Sequence, residues 1–248
     1  MVKIKIFAIV LCLFVLNCSK KTIKLKLPTE ELFRISKEYF DEKKYGRAIE
    51  GFKKLVFEHP GSELIDEAQF YLAESYFNTK DYENAIVEYR FTIENFQESP
   101  FLDDASYKLG LTYYKTSPKY YLDQKRTEEA LKIINKFTVR FPESEWIGEA
   151  KTIQEKCFDK LSKKELENGK LYYKLGHFES AEIYLFDLLE NYPSSSYKDE
   201  ARFTLALCYK KLGRKIEAEE IFEDLSKKRG KFTRKAKKEL EKIAKNKQ

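Results

Sequence analysis

Pro60-Gly-Ser-Glu-Leu-Ile-Asp-Glu-Ala68 is the stretch that decides the fold, because it returns three times. It reappears as Gln97-Glu-Ser-Pro-Phe-Leu-Asp-Asp-Ala105, as Pro142-Glu-Ser-Glu-Trp-Ile-Gly-Glu-Ala150 and as Pro193-Ser-Ser-Ser-Tyr-Lys-Asp-Glu-Ala201. Each position has a physical job. Proline has no N–H to donate and ends the preceding helix. The serine is expected to cap the next helix, and the acidic pair to sit in its first turn against the helix dipole. The apolar residue two places after the serine is expected to act as a hydrophobic staple. The alanine permits close helix contact.

Between these phrases a second pattern recurs. A small residue and a Tyr three places later mark a first helix: Ser36 and Tyr39, Ala73 and Tyr76, Gly110 and Tyr113, Gly169 and Tyr172, Ala206 and Tyr209. An alanine and a large apolar residue mark a second: Ala48 and Phe52, Ala85 and Tyr89, Ala130 and Ile134, Ala181 and Leu185, Ala218 and Phe222. This is the tetratricopeptide pattern of helix pairs. The small residues step by 37, 37, 59 and 37. The long step predicts an insertion over 115–127, within repeat three, and a prolonged first helix of repeat four from Trp146 to Leu175. Phe232, Ala236, Leu240 and Ile243 fall at helical spacing and predict a final helix that covers the open end of the stack. The expected fold is all-α, a superhelix of five tetratricopeptide-like helix pairs with a C-terminal capping helix.

The N-terminus must be separated from this fold. Lys3 and Lys5 precede an apolar run, Ile6 to Leu16, that is short for a membrane span and ends at Asn17-Cys18-Ser19. Residues 1–17 therefore read as a lipoprotein signal peptide, Cys18 as the lipidation site and 18–28 as a lipidated linker. The expected location is the outer membrane, lipid-anchored, at its periplasmic face. The formal charge is +6, and much of the excess lies beyond Lys227. No nucleic-acid partner is expected of an exported chain; the basic tail is either a solvated face or a contact for phospholipid headgroups. Cys157 and Cys208 lie within helical patterns, where two buried thiols and a disulfide are both open.

The composition of the 248 residues agrees with a wet, long-helix protein: 42% hydrophobic, 35% charged, only 9 Gly and 6 Pro. No chemistry stands out. The two histidines, His59 and His177, fall in turns without ligand-spaced partners, and there is no phosphate loop, metal-spaced Cys pair or nucleophile elbow. Catalytic residues, metal ligands and cofactors are expected to be absent.

The first helices suggest a binding face instead. Residues three before and four after each small position share one side. They are Phe33 and Phe40, Phe70 and Phe77, then Tyr107 and Tyr114; Leu166 and Tyr173, then Phe203 and Lys210 follow. Two readings stand for the six leading aromatics. They form ordinary core between neighbouring helices, or a partly exposed groove for an extended, aromatic-rich peptide, with Lys37 and Lys115 near the same face to meet a carboxylate.

Taken in order and spacing, the Cys18 leader, five repeats, interrupted third repeat and long segment before repeat four resemble the BamD family of outer-membrane lipoproteins. Tyr107–Thr112 with Asp123–Ala130, and Leu161–Gly176, are similar to its third and fourth repeats. The resemblance implies a non-catalytic subunit of the β-barrel assembly machinery. It implies that repeats one to three, residues 29–144, receive the C-terminal segments of unfolded outer-membrane proteins. It also implies that residues 145–230 dock on a periplasmic domain of the central barrel subunit, with 231–248 as a basic cap. The mixed first-helix face of the second half assigns docking to Lys170, Tyr173, Phe203 and Lys210. The alternative is another periplasmic scaffold: a CpoB-like cell-division coordinator, similar in its Pro-x-Ser-x-Tyr phrases, or a support for an envelope enzyme or transporter.

Overall fold

A computed structural model describes residues 27–245; the signal segment and Cys18 lie outside the described residues. Among those described there are eleven helices and no strand. They are α1 (Thr29–Asp41), α2 (Tyr45–Glu58), α3 (Ile65–Asn78), α4 (Tyr82–Asn95), α5 (Leu102–Thr116), α6 (Lys125–Arg140), α7 (Ile147–Lys174), α8 (Phe178–Asn191), α9 (Lys198–Lys211), α10 (Lys215–Lys227) and α11 (Thr233–Lys245). Each packs mainly against its chain neighbours, as a repeat stack requires. Five pairs, α1/α2 to α9/α10, are the five repeats, and α11 is the cap. No helix among the described residues is long and apolar enough to cross a membrane.

The second helices are built alike. Ala48, Phe52 and Leu55 are buried in α2; Ala130, Ile134 and Phe137 in α6; Ala181, Leu185 and Leu188 in α8; Ala218, Phe222 and Leu225 in α10. Spacings of four and three put each trio on one stripe. The interior first helices α3, α5 and α9 are wedged between two second helices and bury more of their circumference. Small residues allow that approach. A Cβ added to Gly110 would lie 2.6 Å from Ile134 Cδ1, and one on Gly169 2.6 Å from Leu185 Cγ.

The turn inside four of the five pairs, all but that of repeat three, is equally regular. Lys43, Lys80, Gly176 and Gly213 have φ between 61° and 83°. In each case the next residue's N–H bonds back to a first-helix carbonyl: Lys44 to Tyr39, Asp81 to Tyr76, His177 to Tyr172 and Arg214 to Tyr209. These are Schellman-type ends, so the tyrosine of the pattern also supplies the carbonyl that closes its helix.

The recurring phrase behaves differently from its expected role. Ser62, Ser99, Ser144 and Ser195 do not cap helices. Their hydroxyls accept the N–H two residues on, from Leu64, Phe101, Trp146 and Tyr197, at 3.0–3.3 Å. Each serine carbonyl takes the next N–H along. The serine therefore makes a tight turn ahead of the helix, and the apolar residue itself occupies the cap position without a side-chain bond. That residue is aimed backwards. Phe101 stacks on Phe70, and Trp146 on Tyr107, each with ring centroids 4.9 Å apart. The phrase is a seal between repeats.

The insertion of repeat three spans residues 117–124. Gln124 is buried and its amide donates to the carbonyls of Lys119 (2.8 Å) and Leu122 (3.1 Å). Lys160 and Lys164 of α7 pin the loop through Ser117 and the Leu122 carbonyl. Helix α7 is continuous over 28 residues. Its first half, with Ala150, Ile153 and Cys157, closes the core of repeat three; Leu166 belongs to the core of repeats four and five. Cys157 and Cys208 are free, buried in these two separate cores, which excludes the disulfide. Burial pushes both thiols up to about 12. Phe232, Ala236 and Ile243 are buried where α11 covers α10.

Candidate functional site: the first-helix face

The site follows from the stacking of α1, α3, α5 and α7. Tyr71 of α3 sits at its N-terminal centre. Its ring lies 5.1 Å from Phe40, 6.5 Å from Phe33, 5.9 Å from Phe52 and 6.1 Å from Phe101. The Lys37 ammonium stands 4.8 Å from the Tyr71 centroid and 5.8 Å from Phe40, and pairs with Asp41 at 2.6 Å. Burial works against its charge, but Asp41 and the Tyr71 ring outweigh it and hold the ammonium above the usual lysine range. Burial also raises the Tyr71 phenol.

The pattern repeats one step on. Phe77 packs edge-on against Tyr82 and Tyr89 and lies under two ammoniums, Lys108 at 5.4 Å and Lys115 at 5.7 Å. Lys108 also reaches Trp146 at 5.7 Å and pairs with Glu74 at 3.0 Å. Glu74 accepts the hydroxyl of the fully buried Tyr89, so the cation above the face is tied to the core below. A third step sets Lys160 over Tyr114 at 5.0 Å and Lys163 over Tyr120 at 4.4 Å. Each contact is a cation–π pair at the distances where the attraction is significant.

The six leading aromatics divide. Phe70 and Tyr107 are buried under their stacked partners and are inter-repeat core, which removes them from an open groove. Phe33, Phe40, Phe77 and Tyr114 are half-buried and reach the surface with Lys37. Tyr71, Lys108, Trp146 and Lys160 join this face without having been singled out from the sequence. Tyr71 and Lys108 did carry a signal, since each stands two places before a small residue in consecutive repeats. Lys160 lies in the prolonged helix, where no repeat register applies.

In the second half the candidate docking residues are already engaged with one another's repeats. Lys170 bridges Glu167 and Glu200, each at 3.0 Å, and Lys210 reaches Glu239 of α11 at 2.6 Å. Phe203 lies between Phe222 and Phe232 at 5.6 and 5.3 Å, and Tyr173 packs on Phe178 at 5.6 Å. Burial alone would raise the Glu200 and Glu239 carboxyls; their lysine partners overcome it and hold both below the usual carboxylate range. Among the described residues no group of three His, Cys, Asp or Glu is placed to hold a metal ion.

Five stacked helix pairs with small residues at their close contacts define a tetratricopeptide-repeat scaffold, a class of protein–protein interaction domain. The match to a family model is more particular. Residues 26–225 match the YfiO family, described as outer membrane lipoprotein, and the chain belongs to that family. No curated protein matches the chain. Among solved structures it is similar to a tetratricopeptide repeat protein from Parabacteroides merdae, at 20% identity and TM-score 0.39 over 79% of this chain and 65% of that one. The chain thus spans about two thirds of that protein's length. It is also similar to TTC0263, a thermophilic TPR protein of Thermus thermophilus, at 18% identity and TM-score 0.38, covering 82% of this chain and 93% of that one. A third is the TPR2AB domain of yeast Sti1, at 13% identity and TM-score 0.45, covering 79% and 75%.

Proposed function

We propose that this outer-membrane lipoprotein is a non-catalytic subunit of the machinery that assembles β-barrel proteins, held by lipid at Cys18 on the periplasmic face. Its first three repeats receive the C-terminal segments of unfolded barrel clients. Repeats four and five, around Lys170, Tyr173, Phe203 and Lys210, dock on a periplasmic domain of the central barrel subunit. The two halves are residues 29–144 and 145–230, with α7 reaching from the core of repeat three into that of repeats four and five.

One observation carries the client reading: half-buried Phe40, Tyr71, Phe77 and Tyr114 lie under a row of ammonium groups. Such a surface suits an extended segment with aromatic side chains and a terminal carboxylate. Lys115 is exposed and has no ion-pair partner among the described residues, so it is the natural carboxylate receptor, with Lys37 second. The test is titration of a labelled barrel C-terminal peptide against wild type, Lys115→Gln and the Phe40→Ala/Phe77→Ala double variant, with thermal melts of all three. Weaker binding by about tenfold in the double variant, equivalent to about 1.4 kcal/mol, is expected, with loss from Lys115→Gln at an unchanged melt. Affinity indifferent to all three changes would move the client elsewhere.

A further inference from the structure

Charge is segregated along this chain to a degree its total hides. From Lys227 to Gln248 there are eleven Lys or Arg and two Glu, whereas the rest carries 36 basic and 39 acidic residues. The structure sorts the basic residues into two groups. Lys228 pairs with Asp199 and Asp224 and Lys231 with Glu200, which ties the cap to repeat five; Lys242 pairs with Glu239 within α11. Arg229, Arg234, Lys235, Lys237, Lys238 and Lys245 are all exposed and have no acidic partner among the described residues.

Their placement follows from the helix period. Ala236, Leu240 and Ile243 face α10, so Arg234, Lys238 and Lys245 project from the opposite side of α11, with Lys235 and Lys237 on the flanks. Beyond Ile216 there is no exposed large apolar side chain among the described residues. A protein docking patch has an apolar centre within a polar rim. This surface is predominantly cationic, with Glu241 the one exposed acid of α11, and it has no such centre. It suits a partner that offers diffuse negative charge and no fixed shape.

We propose that the outer face of α11 lies against the anionic phospholipid surface of the membrane to which the lipoprotein is tethered. The proposal rests on the lipid tether of the outer-membrane lipoprotein family. The tether precedes α1 in the sequence and α11 closes the far end of the repeat stack, so two contacts would lay the superhelix along the membrane, where one would leave it swinging. Attraction of this kind acts over a Debye length, about 8 Å at physiological salt, and needs no specific pocket.

The full lipidated chain tests it. A fluorophore is placed at Ala244→Cys, an exposed and uncharged position; Cys157 and Cys208 stay unlabelled because they are buried. Energy transfer to a headgroup acceptor is then read on phosphatidylcholine vesicles and on vesicles enriched in phosphatidylglycerol, with flotation reporting the tether separately. Transfer is expected only on the phosphatidylglycerol vesicles and is lost at about 1 M salt, where the Debye length is about 3 Å. In Arg234→Gln/Lys238→Gln/Lys245→Gln, with unchanged helix content, the ratio of surface-bound to free tail falls about fivefold per charge removed. Equal transfer on both vesicles, or none on either while the chain floats with them, overturns the proposal. Removal of the signal by inorganic phosphate at matched ionic strength also overturns it, in favour of a free-anion site. A chain that fails to float would instead refute the tether.

Discussion

The two halves of the superhelix use the same lysines-on-first-helices device to different ends. In repeats one to three the ammonium groups stand over aromatic rings; Lys37 and Lys108 are also paired with Asp41 and Glu74, while Lys115 has no ion-pair partner among the described residues. In repeats four and five, Lys170 bridges to Glu200 of the following repeat and Lys210 to Glu239 of the cap. A cation over a ring still faces outward and can attract a carboxylate; a cation paired to a carboxylate is spent on holding repeats together. The first half thus leaves a cation, Lys115, free over its rings, while the second commits Lys170 and Lys210 to carboxylates of the next element.

The largest expected effect comes from the seals between repeats. Trp146 stacks on Tyr107, donates its indole N–H to Asp104 at 2.7 Å and lies under Lys108. Trp146→Ala should cost about 3 kcal/mol, at the lower end for large aromatic truncations because the ring is not fully enclosed. Tyr197→Ala, at the equivalent place in the second half, makes no stacked ring contact among those described and should cost clearly less. Chemical denaturation of both variants measures the gap, and equal losses would break the contrast.

Next in size are the close contacts, which should not distinguish the halves. Gly110→Ala and Gly169→Ala each press a methyl to 2.6 Å from a buried branched side chain, Ile134 or Leu185. Overpacking of this kind costs about 1–3 kcal/mol, read as a lower melting temperature in each. The pair turns are smaller again. Lys43 and Lys80 occupy left-handed backbone where repeats four and five have Gly176 and Gly213. Lys43→Gly and Lys80→Gly should each stabilise by up to about 1 kcal/mol, and Gly176→Ala destabilise by a similar amount. A stabilised Lys80→Gly with unchanged peptide affinity would show that the strain has no part in binding.

These contacts also show what was legible beforehand. Five pairs, the inserted loop, the long α7 and the cap all follow from small residues and alanines at fixed steps, because close packing leaves few residue types possible. The phrase that marked the repeats was legible as punctuation, but its mechanism was not. Whether Ser62 caps a helix or turns the chain before it depends on a two-residue shift that composition does not fix. The aromatic face was legible in position only. Phe70 and Phe77 look identical in sequence; one is sealed by Phe101 and the other lies under Lys108 and Lys115. The lid of each ring comes from a different repeat or from the unphased part of α7, so spacing within one helix could not separate core from groove.

The smallest expected effect is the response to acid, and here α3 and α5 should move oppositely to α9 and α11. Burial holds Glu67 and Asp104, in the first half, above their usual carboxyl range. Such a group binds more protons folded than unfolded, so it costs stability at neutral pH and returns it as pH falls through its raised folded pKa. Glu200 and Glu239, in the second half, are held low by Lys170, Lys210 and their neighbours. Their contribution is complete above the unfolded value, about 4.3, and is lost as pH falls through the lower folded one. All four are partly solvated, so each contributes less than about 1 kcal/mol. Between neutral pH and about pH 5, the protection of α3 and α5 amides should therefore hold or rise slightly while that of α9 and α11 stays flat. Below about pH 4 the amides of α9 and α11 should lose protection first. Hydrogen exchange resolved by helix and corrected for intrinsic rates makes the comparison. Repeating it with Lys210→Met sharpens it: the acid-dependent loss around α11 should shrink, because the Glu239 carboxyl no longer has Lys210 to hold it low. An acid response that begins in α3 and α5 would break the contrast between these two pairs of helices.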